Sequence, residues 1–149
     1  MQLVSRETIT VGALAVRFLV EADESNASVS VFECDVPAEA RMPVPHSHNA
    51  FDETIYGLQG VSTWTVDRAT MEIGPGDAVC VPRGIVHGFA NHGSVDAKFL
   101  AIASPGVFGA AYFREVGKVL AAGGGGPPDH AALADVMRRH GLTPAAPSI

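Results

Sequence analysis

The sequence has few charged residues, few cysteines and no long apolar run. Only 17% of its 149 residues are charged, and the net charge of −6 leaves no basic cluster longer than Arg138-Arg139. Surfaces that bind nucleic acid need clustered Lys and Arg, so we expect no nucleic-acid partner. No stretch approaches the roughly 18 apolar residues of a membrane span, and Met1–Glu7 lacks the basic and apolar regions of a signal peptide. We therefore expect a cytoplasmic protein without a membrane partner.

The two cysteines, Cys34 and Cys80, lie in alternating apolar segments, with no second Cys or His at zinc-finger spacing. We expect buried, reduced thiols, although the sequence leaves a disulfide between them open. The hydrophobic content of 47% is enough for one core without a disulfide or metal crosslink. One compact domain is expected.

The segment from Thr8 to Ser104 has the pattern of an all-β fold. Short runs of β-branched and aromatic residues alternate with Gly, Pro, Asn and Asp, which favour turns. The strands we predict are residues 9–20, 27–36, 54–59, 61–66, 77–81, 86–91 and 95–103, with turns at 21–26 and 73–77. Many short strands at regular spacing indicate a sandwich or a barrel.

Beyond Pro105-Gly106 the apolar residues recur at helical spacing. This predicts two short helices, the second opened by Asp129 as N-cap and closed by Gly141. The Gly- and Pro-rich stretch 123–128 between them must be a loop. We therefore divide the chain into a β-barrel, residues 1–106, and a C-terminal helical extension, residues 107–149, packed on the same domain. The helices could cover a barrel edge or a partner subunit, and the sequence leaves both open.

Three histidines and a glutamate form the candidate chemical site. His46 and His48 are two residues apart, so on a strand they share one face. Glu53 would fall on the opposite face unless a turn at 49–51 redirects it, and its neighbour Asp52 competes with it as the carboxylate. His87 follows a distant turn. Imidazoles with one carboxylate suit one divalent transition metal (iron, manganese, nickel, cobalt, copper or zinc) better than calcium or magnesium.

The spacing around these residues resembles both sequence motifs of the cupin superfamily. The first reads His46-x-His48-x4-Glu53-x6-Gly60, and the second reads Gly76-x5-Pro82-x-Gly84-x2-His87-x3-Asn91. The resemblance implies an all-β fold, a cupin jelly-roll β-barrel, here with two short C-terminal helices. It also implies that the metal ligands are His46, His48, Glu53 and His87. Without the resemblance, the glycines are best explained by turns that need positive φ.

A second resemblance concerns the C-terminal third. The segment from Ser104 to Phe108, the following Tyr112-Phe113-Arg114-Glu115 and the tail from Met137 to Leu142 look most like bacterial proteins grouped with quercetin 2,3-dioxygenases. This implies a metal-dependent dioxygenase acting on a phenolic or enolic, flavonol-like small molecule. Glu53 would be catalytic and accept the substrate's hydroxyl proton. The alternatives are a non-catalytic cupin that binds a small ligand and a cupin isomerase.

Other residues have structural interpretations or remain open. Trp64, Tyr56 and Phe51 could line a pocket, although aromatic residues on strands are more often core. Asn91 could support the site or form a turn. The histidines outside the motifs are given no function: His92, His130 and His140. A first strand near the N-terminus and helices with one apolar face each favour a homodimer.

Overall fold

The computed structural model describes residues 6–146, so the residues on which the signal-peptide prediction rests lie mostly outside it. Two antiparallel sheets enclose one hydrophobic core. The first has six strands, in the order β1 (Ile9–Val11), β2 (Leu14–Val20), β3 (Ser30–Val36), β10 (Ala97–Ser104), β5 (Asp52–Gln59) and β8 (Ala78–Val81). The second has five, in the order β11 (Leu142–Pro144), β4 (His46–His48), β9 (His87–Ala90), β6 (Ser62–Val66) and β7 (Ala69–Ile73).

Burial alternates along the central strands of the six-stranded sheet. In β3 and β10 every second side chain is buried, among them Phe32 and Phe99, while the residues between them are half exposed. This period of two is the pattern of a sheet with one face on the core. The predicted all-β jelly-roll fold with two short helices is confirmed.

The strand prediction is correct in outline and differs at four elements. The run 9–20 is two strands, because Gly12 at φ +62° turns the chain between them. The strands β7 and β11 were not predicted, and β4 was considered only as a possible extended segment. All three belong to the five-stranded sheet.

The helices α1 (Ala110–Ala122) and α2 (His130–Arg139) lie against the sheets of their own chain. Gly117 lets α1 approach β1 closely, since a Cβ there would be 2.4 Å from the Thr10 carbonyl oxygen. Asp129 caps α2 as predicted, accepting a hydrogen bond of 3.0 Å from the Ala132 N–H. The helices therefore pack on strands of their own barrel. Neither helix in the described part of the chain has the length and apolar character needed to span a bilayer.

The two cysteines are free and differ in exposure. Cys34 is buried on β3, as predicted. Cys80 is exposed, so the prediction of a second buried thiol is wrong. The reason is that β8 is an edge strand, and Cys80 is on its outer face opposite Thr54.

Candidate metal centre

Three histidine side chains meet between the two sheets. His46 and His48 come from β4, two residues apart and on one face, and His87 on β9 is the ladder partner of His46. All three are buried, and one ring nitrogen from each lies within 4.8 Å of those of the other two. The histidines that the spacing singled out are therefore brought together as a group that could hold a metal ion.

The ring nitrogens are arranged as a transition metal would need them. The Nδ1 atoms of His46 and His87 donate hydrogen bonds of 3.0 Å to the Val44 and Ile85 carbonyls. Because carbonyls only accept, the proton of each neutral ring is on Nδ1, and Nε2 is free to bind a metal. The Nε2 atoms of His46 and His48 are 3.2 Å apart. Two nitrogen ligands at about 2.1 Å from one ion, nearly at right angles, would be separated by about 3 Å.

Burial keeps these imidazoles neutral. Burial is the largest cause of a pKa lowered to about 3 for His46, to about 2 for His48, and also below its usual value for His87. For His46 and His48, the charge of neighbouring imidazoles lowers the pKa further. The neutral ring is the form that binds a metal, so protons compete little with an ion at neutral pH.

The His48 ring is held mainly by packing. Phe51 stacks on it at 4.2 Å between ring centroids, and Phe108 stacks on Phe51 at 5.1 Å. The His48 Nδ1 atom is buried without a hydrogen-bond partner among the described residues. The Gly84 N–H donates a hydrogen bond of 2.8 Å to the His48 backbone carbonyl. Gly84 has a φ of +82°, the positive value that its turn was predicted to need.

Glu53 approaches the histidines from the opposite sheet. The segment between β4 and β5 takes the chain from one sheet to the other, which resolves the conflict over the face on which Glu53 lies. One carboxylate oxygen, Oε2, is 3.6 Å from His48 Nε2. Burial raises the pKa of Glu53 to about 8. Asp52 instead forms an exposed ion pair with Arg83, at 3.2 Å. The geometry favours Glu53 over Asp52, and Glu53 as a metal ligand stays a prediction.

The histidines and Glu53 border a small cavity of about 50 Å³. Its other polar lining groups are Cys34 and Tyr112. The walls are otherwise apolar and rich in aromatic rings: Val11, Leu14, Val16, Phe32, Met42, Pro43, Val44, Trp64, Phe89, Phe99, Phe108, Phe113, Val116 and Met137. The site therefore combines a compact polar group with an apolar, aromatic wall.

Sequence reasoning found part of this wall. Trp64 lines the cavity, as the sequence left open. Phe51 is a buried core residue and Tyr56 is 42% exposed, and neither lines the cavity. Tyr112 and Phe108 were missed as cavity residues, although they belong to the segment that carries the second resemblance. Helical spacing shows that such residues are buried but not which cavity they reach.

The remaining polar candidates lie outside the metal centre. His92 and His130 are exposed, and His140 pairs with the Glu115 carboxylate between the helices. Asn91 holds the turn after β9, since its Oδ1 accepts a hydrogen bond of 2.9 Å from the Gly93 N–H and its amide donates one of 2.8 Å to the Val95 carbonyl. The turn interpretation of Asn91 is thus correct.

Comparison with protein families gives a match over the strands that carry the site. Residues 32–103 match the family model described as the cupin domain. Over this stretch the chain is similar to the cupin domain. Among proteins of curated function, none matches the sequence.

Solved structures extend this likeness. A polyketide cyclase, RemF from Streptomyces resistomycificus, is 26% identical with a TM-score of 0.61, over 70% of this chain and 79% of its own. A sugar phosphate isomerase of the cupin superfamily from Silicibacter pomeroyi is 22% identical with a TM-score of 0.55, over 63% and 60%. A predicted oxalate decarboxylase from Thermotoga maritima is 20% identical with a TM-score of 0.62, over 68% and 92%. The chain thus spans 60% of the length of that isomerase, and the last two likenesses concern the fold alone.

Proposed function

We propose that this cupin is a metal-dependent enzyme acting on an enolic or phenolic small molecule, with dioxygenation as its reaction. The observation that carries the proposal is the position of the three histidines and Glu53 at one end of an apolar, aromatic cavity. An apolar wall favours an apolar ring, and buried imidazoles favour a transition metal. A substrate with several charged groups would lose its hydration against such walls, and the walls offer few hydrogen bonds to replace it.

The residues of the site would divide the work. His46, His48 and His87, with Glu53, would hold the ion, which when bound would polarise an enolic oxygen and supply redox chemistry. Glu53 would accept the proton of the substrate hydroxyl, since its carboxylate is the buried base nearest the histidines. The aromatic wall would bind the ring and exclude water. Both atoms of dioxygen would enter the substrate, so the reaction needs no external reductant.

The cavity has to widen for such a substrate. Sites for drug-sized ligands have volumes of about 300–1,000 Å³, against about 50 Å³ here. Met42 and Pro43 line this cavity and also an outer groove of about 400 Å³. His87 and Phe89 also line both spaces, and we propose that the segment with Met42 and Pro43 moves when substrate enters.

The test is oxygen uptake by the full chain, loaded in turn with iron, manganese, cobalt, nickel, copper and zinc. We expect one of these forms to consume oxygen in step with loss of a flavonol, a catechol or another enol. Glu53→Gln should lower turnover by roughly 10²-fold or more in molecules that retain metal, because the amide cannot accept the proton. His46→Ala should remove activity together with the metal. Tight binding without oxygen uptake under every metal would instead indicate a ligand-binding cupin.

A second candidate reaction is ring closure without oxygen, favoured by the 26% identity to a polyketide cyclase. The same apolar cavity would fold a poly-keto chain, and Glu53 would move the proton. An anaerobic arm of the assay separates the two reactions. Product formed without oxygen would support cyclisation and contradict dioxygenation.

A further inference from the structure

Tyr112 is a buried polar residue that the proposed mechanism leaves unused. It lies in the first turn of α1, is 4% exposed, and lines the same cavity as Glu53 and the three histidines. Burial, and secondarily the charge of Glu53, raises the pKa of the Tyr112 hydroxyl above its usual value. The hydroxyl therefore stays protonated and is a hydrogen-bond donor.

The Tyr112 hydroxyl has no protein partner among the described residues. None of the side-chain hydrogen bonds of this part of the chain involves it, and no hydrogen bond contributes to its pKa. Yet its oxygen is not among the fully enclosed atoms that lack a partner. The oxygen thus reaches open space in a side chain that is otherwise buried. A buried hydroxyl without a partner costs free energy unless a ligand or water satisfies it.

Among the other ring nitrogens around the cavity, His48 Nδ1 has no partner but is fully enclosed, so a ligand does not reach it. The remaining N–H donors are engaged. The Trp64 indole N–H donates to the Ser62 hydroxyl at 2.9 Å. The Nδ1 protons of His46 and His87 are taken by backbone carbonyls. The Cys34 thiol is a weak donor and faces the Asp35 carbonyl at 3.7 Å. Among the described lining residues, Tyr112 is thus the strong donor still available to a ligand.

We infer that Tyr112 is a substrate-binding residue whose hydroxyl donates a hydrogen bond to the enolic or phenolic oxygen held at the histidine group. This inference rests on the proposed function and names the group that recognises the substrate. An oxygen that loses its proton gains a charge-assisted hydrogen bond from a tyrosine. Tyr112 would then favour ligands with an ionisable hydroxyl over rings of the same shape without one.

The experiment measures binding of 3-hydroxyflavone to the zinc-loaded full chain by ligand fluorescence, with flavone as the matched ligand lacking the hydroxyl. Zinc has no redox chemistry, so binding is measured without turnover. In Tyr112→Phe we expect affinity for 3-hydroxyflavone to fall roughly 10- to 100-fold, the usual cost of a hydrogen bond to a charged group. Affinity for flavone should not change. The pKa of the bound 3-hydroxyl should also rise, visible in the absorption band of its anion.

Tyr56→Phe is the control variant, because it removes the same hydroxyl from an exposed position outside the cavity. It should leave both ligands unaffected. Zinc content and melting temperature establish that Tyr112→Phe is folded and loaded. Equal binding and an equal absorption band in wild type and Tyr112→Phe would overturn the inference and leave the proposed function standing. Failure of wild type to bind any enol or phenol would overturn both.

Discussion

At the scale of single residues, the protonated nitrogen of each histidine determines what the centre can bind. The Val44 and Ile85 carbonyls fix the tautomers of His46 and His87, so their Nε2 atoms can only accept or ligate. Without a cation, the Nε2 atoms of His46 and His48, 3.2 Å apart, form a hydrogen bond in which His48 donates, because the proton of His46 is on Nδ1. A metal ion between the rings would take the place of that proton.

The first prediction concerns metal content. The purified chain should contain about one transition-metal equivalent, and His48→Ala and His87→Ala should lose most of it. His92→Ala, an exposed histidine outside the centre, is the control and should retain it. The single tryptophan, Trp64, stacks 6.4 Å from His87, so copper(II) should quench its fluorescence in wild type. Full metal retention in the His48→Ala/His87→Ala double variant would contradict the ligand assignment.

The second prediction concerns Glu53 and pH. Its pKa in the folded chain, about 8, is above its usual value, so ionisation opposes folding. The loss of folding free energy from ionising Glu53 begins above pH 4.5 and reaches its full size above pH 8. Metal-free Glu53→Gln should therefore be more stable than wild type at pH 8.5, by roughly a few kcal/mol, and similar near pH 4.5. Denaturant unfolding at both pH values measures this.

The metal-loaded protein gives the contrasting arm of that measurement. If Glu53 is a ligand, the ion stabilises its carboxylate, and wild type should become the more stable of the two at pH 8.5. An unchanged order of stability with metal bound would indicate that the three histidines hold the ion without Glu53.

At the scale of secondary-structure elements, the position of β4, the strand that carries His46 and His48, depends on two partner strands distant in sequence. One side pairs with β9, which carries His87, and the other with β11, where Leu142 is opposite His48 and Pro144 opposite His46. Two backbone hydrogen bonds of 2.9 Å extend this pairing. The Asn49 N–H donates to the Gly141 carbonyl, and the Ala145 N–H donates to the Pro45 carbonyl. The C-terminal segment thus fixes the strand that holds two of the histidines.

The third prediction compares two buried leucines. Leu142→Ala and Leu133→Ala remove the same group from fully buried positions and should each destabilise the fold by about 2–5 kcal/mol. Of the two leucines, only Leu142 belongs to a strand that pairs with β4. Zinc affinity, measured by competition with a chelator, should therefore fall more in Leu142→Ala. Equal affinities in the two variants would show that β11 does not support the centre.

Elements differ in how well the sequence predicts them. Long strands such as β3 and β10 have a clear alternation, and their predicted ends lie within three residues of the observed ones. The strand β11 has three residues directly after a helix, and it exists because β4 offers it an edge. The pair of His46 and His48 was predictable because its spacing is local, and His87 was added to it through the motif resemblance. The position of Tyr112 in the cavity wall was not predictable, because it depends on how α1 packs over the cavity.

At the scale of the whole molecule, the homodimer stays a prediction with a different structural basis. The helices cover their own barrel, so their apolar faces no longer argue for a partner. The outer face of the six-stranded sheet is now the feature that favours a partner. Leu100 and Ile102 are only half-buried there, and Tyr56, opposite Leu100, is exposed. We expect a dimer by light scattering at micromolar concentration, and a monomer for Leu100→Glu. Wild type that is monomeric throughout would contradict this.

The late position of β11 in the chain also has a consequence for the order of folding. The barrel strands can pair before residues 142–144 dock, but β4 gains its outer neighbour only when a segment almost a hundred residues further along the chain closes on it. Burial of Trp64 in the core should therefore precede formation of a tight zinc site. In stopped-flow refolding, tryptophan fluorescence should change first and zinc capture, followed with a chromophoric chelator, should lag behind it. The lag should lengthen in Leu142→Ala and not in Leu133→Ala.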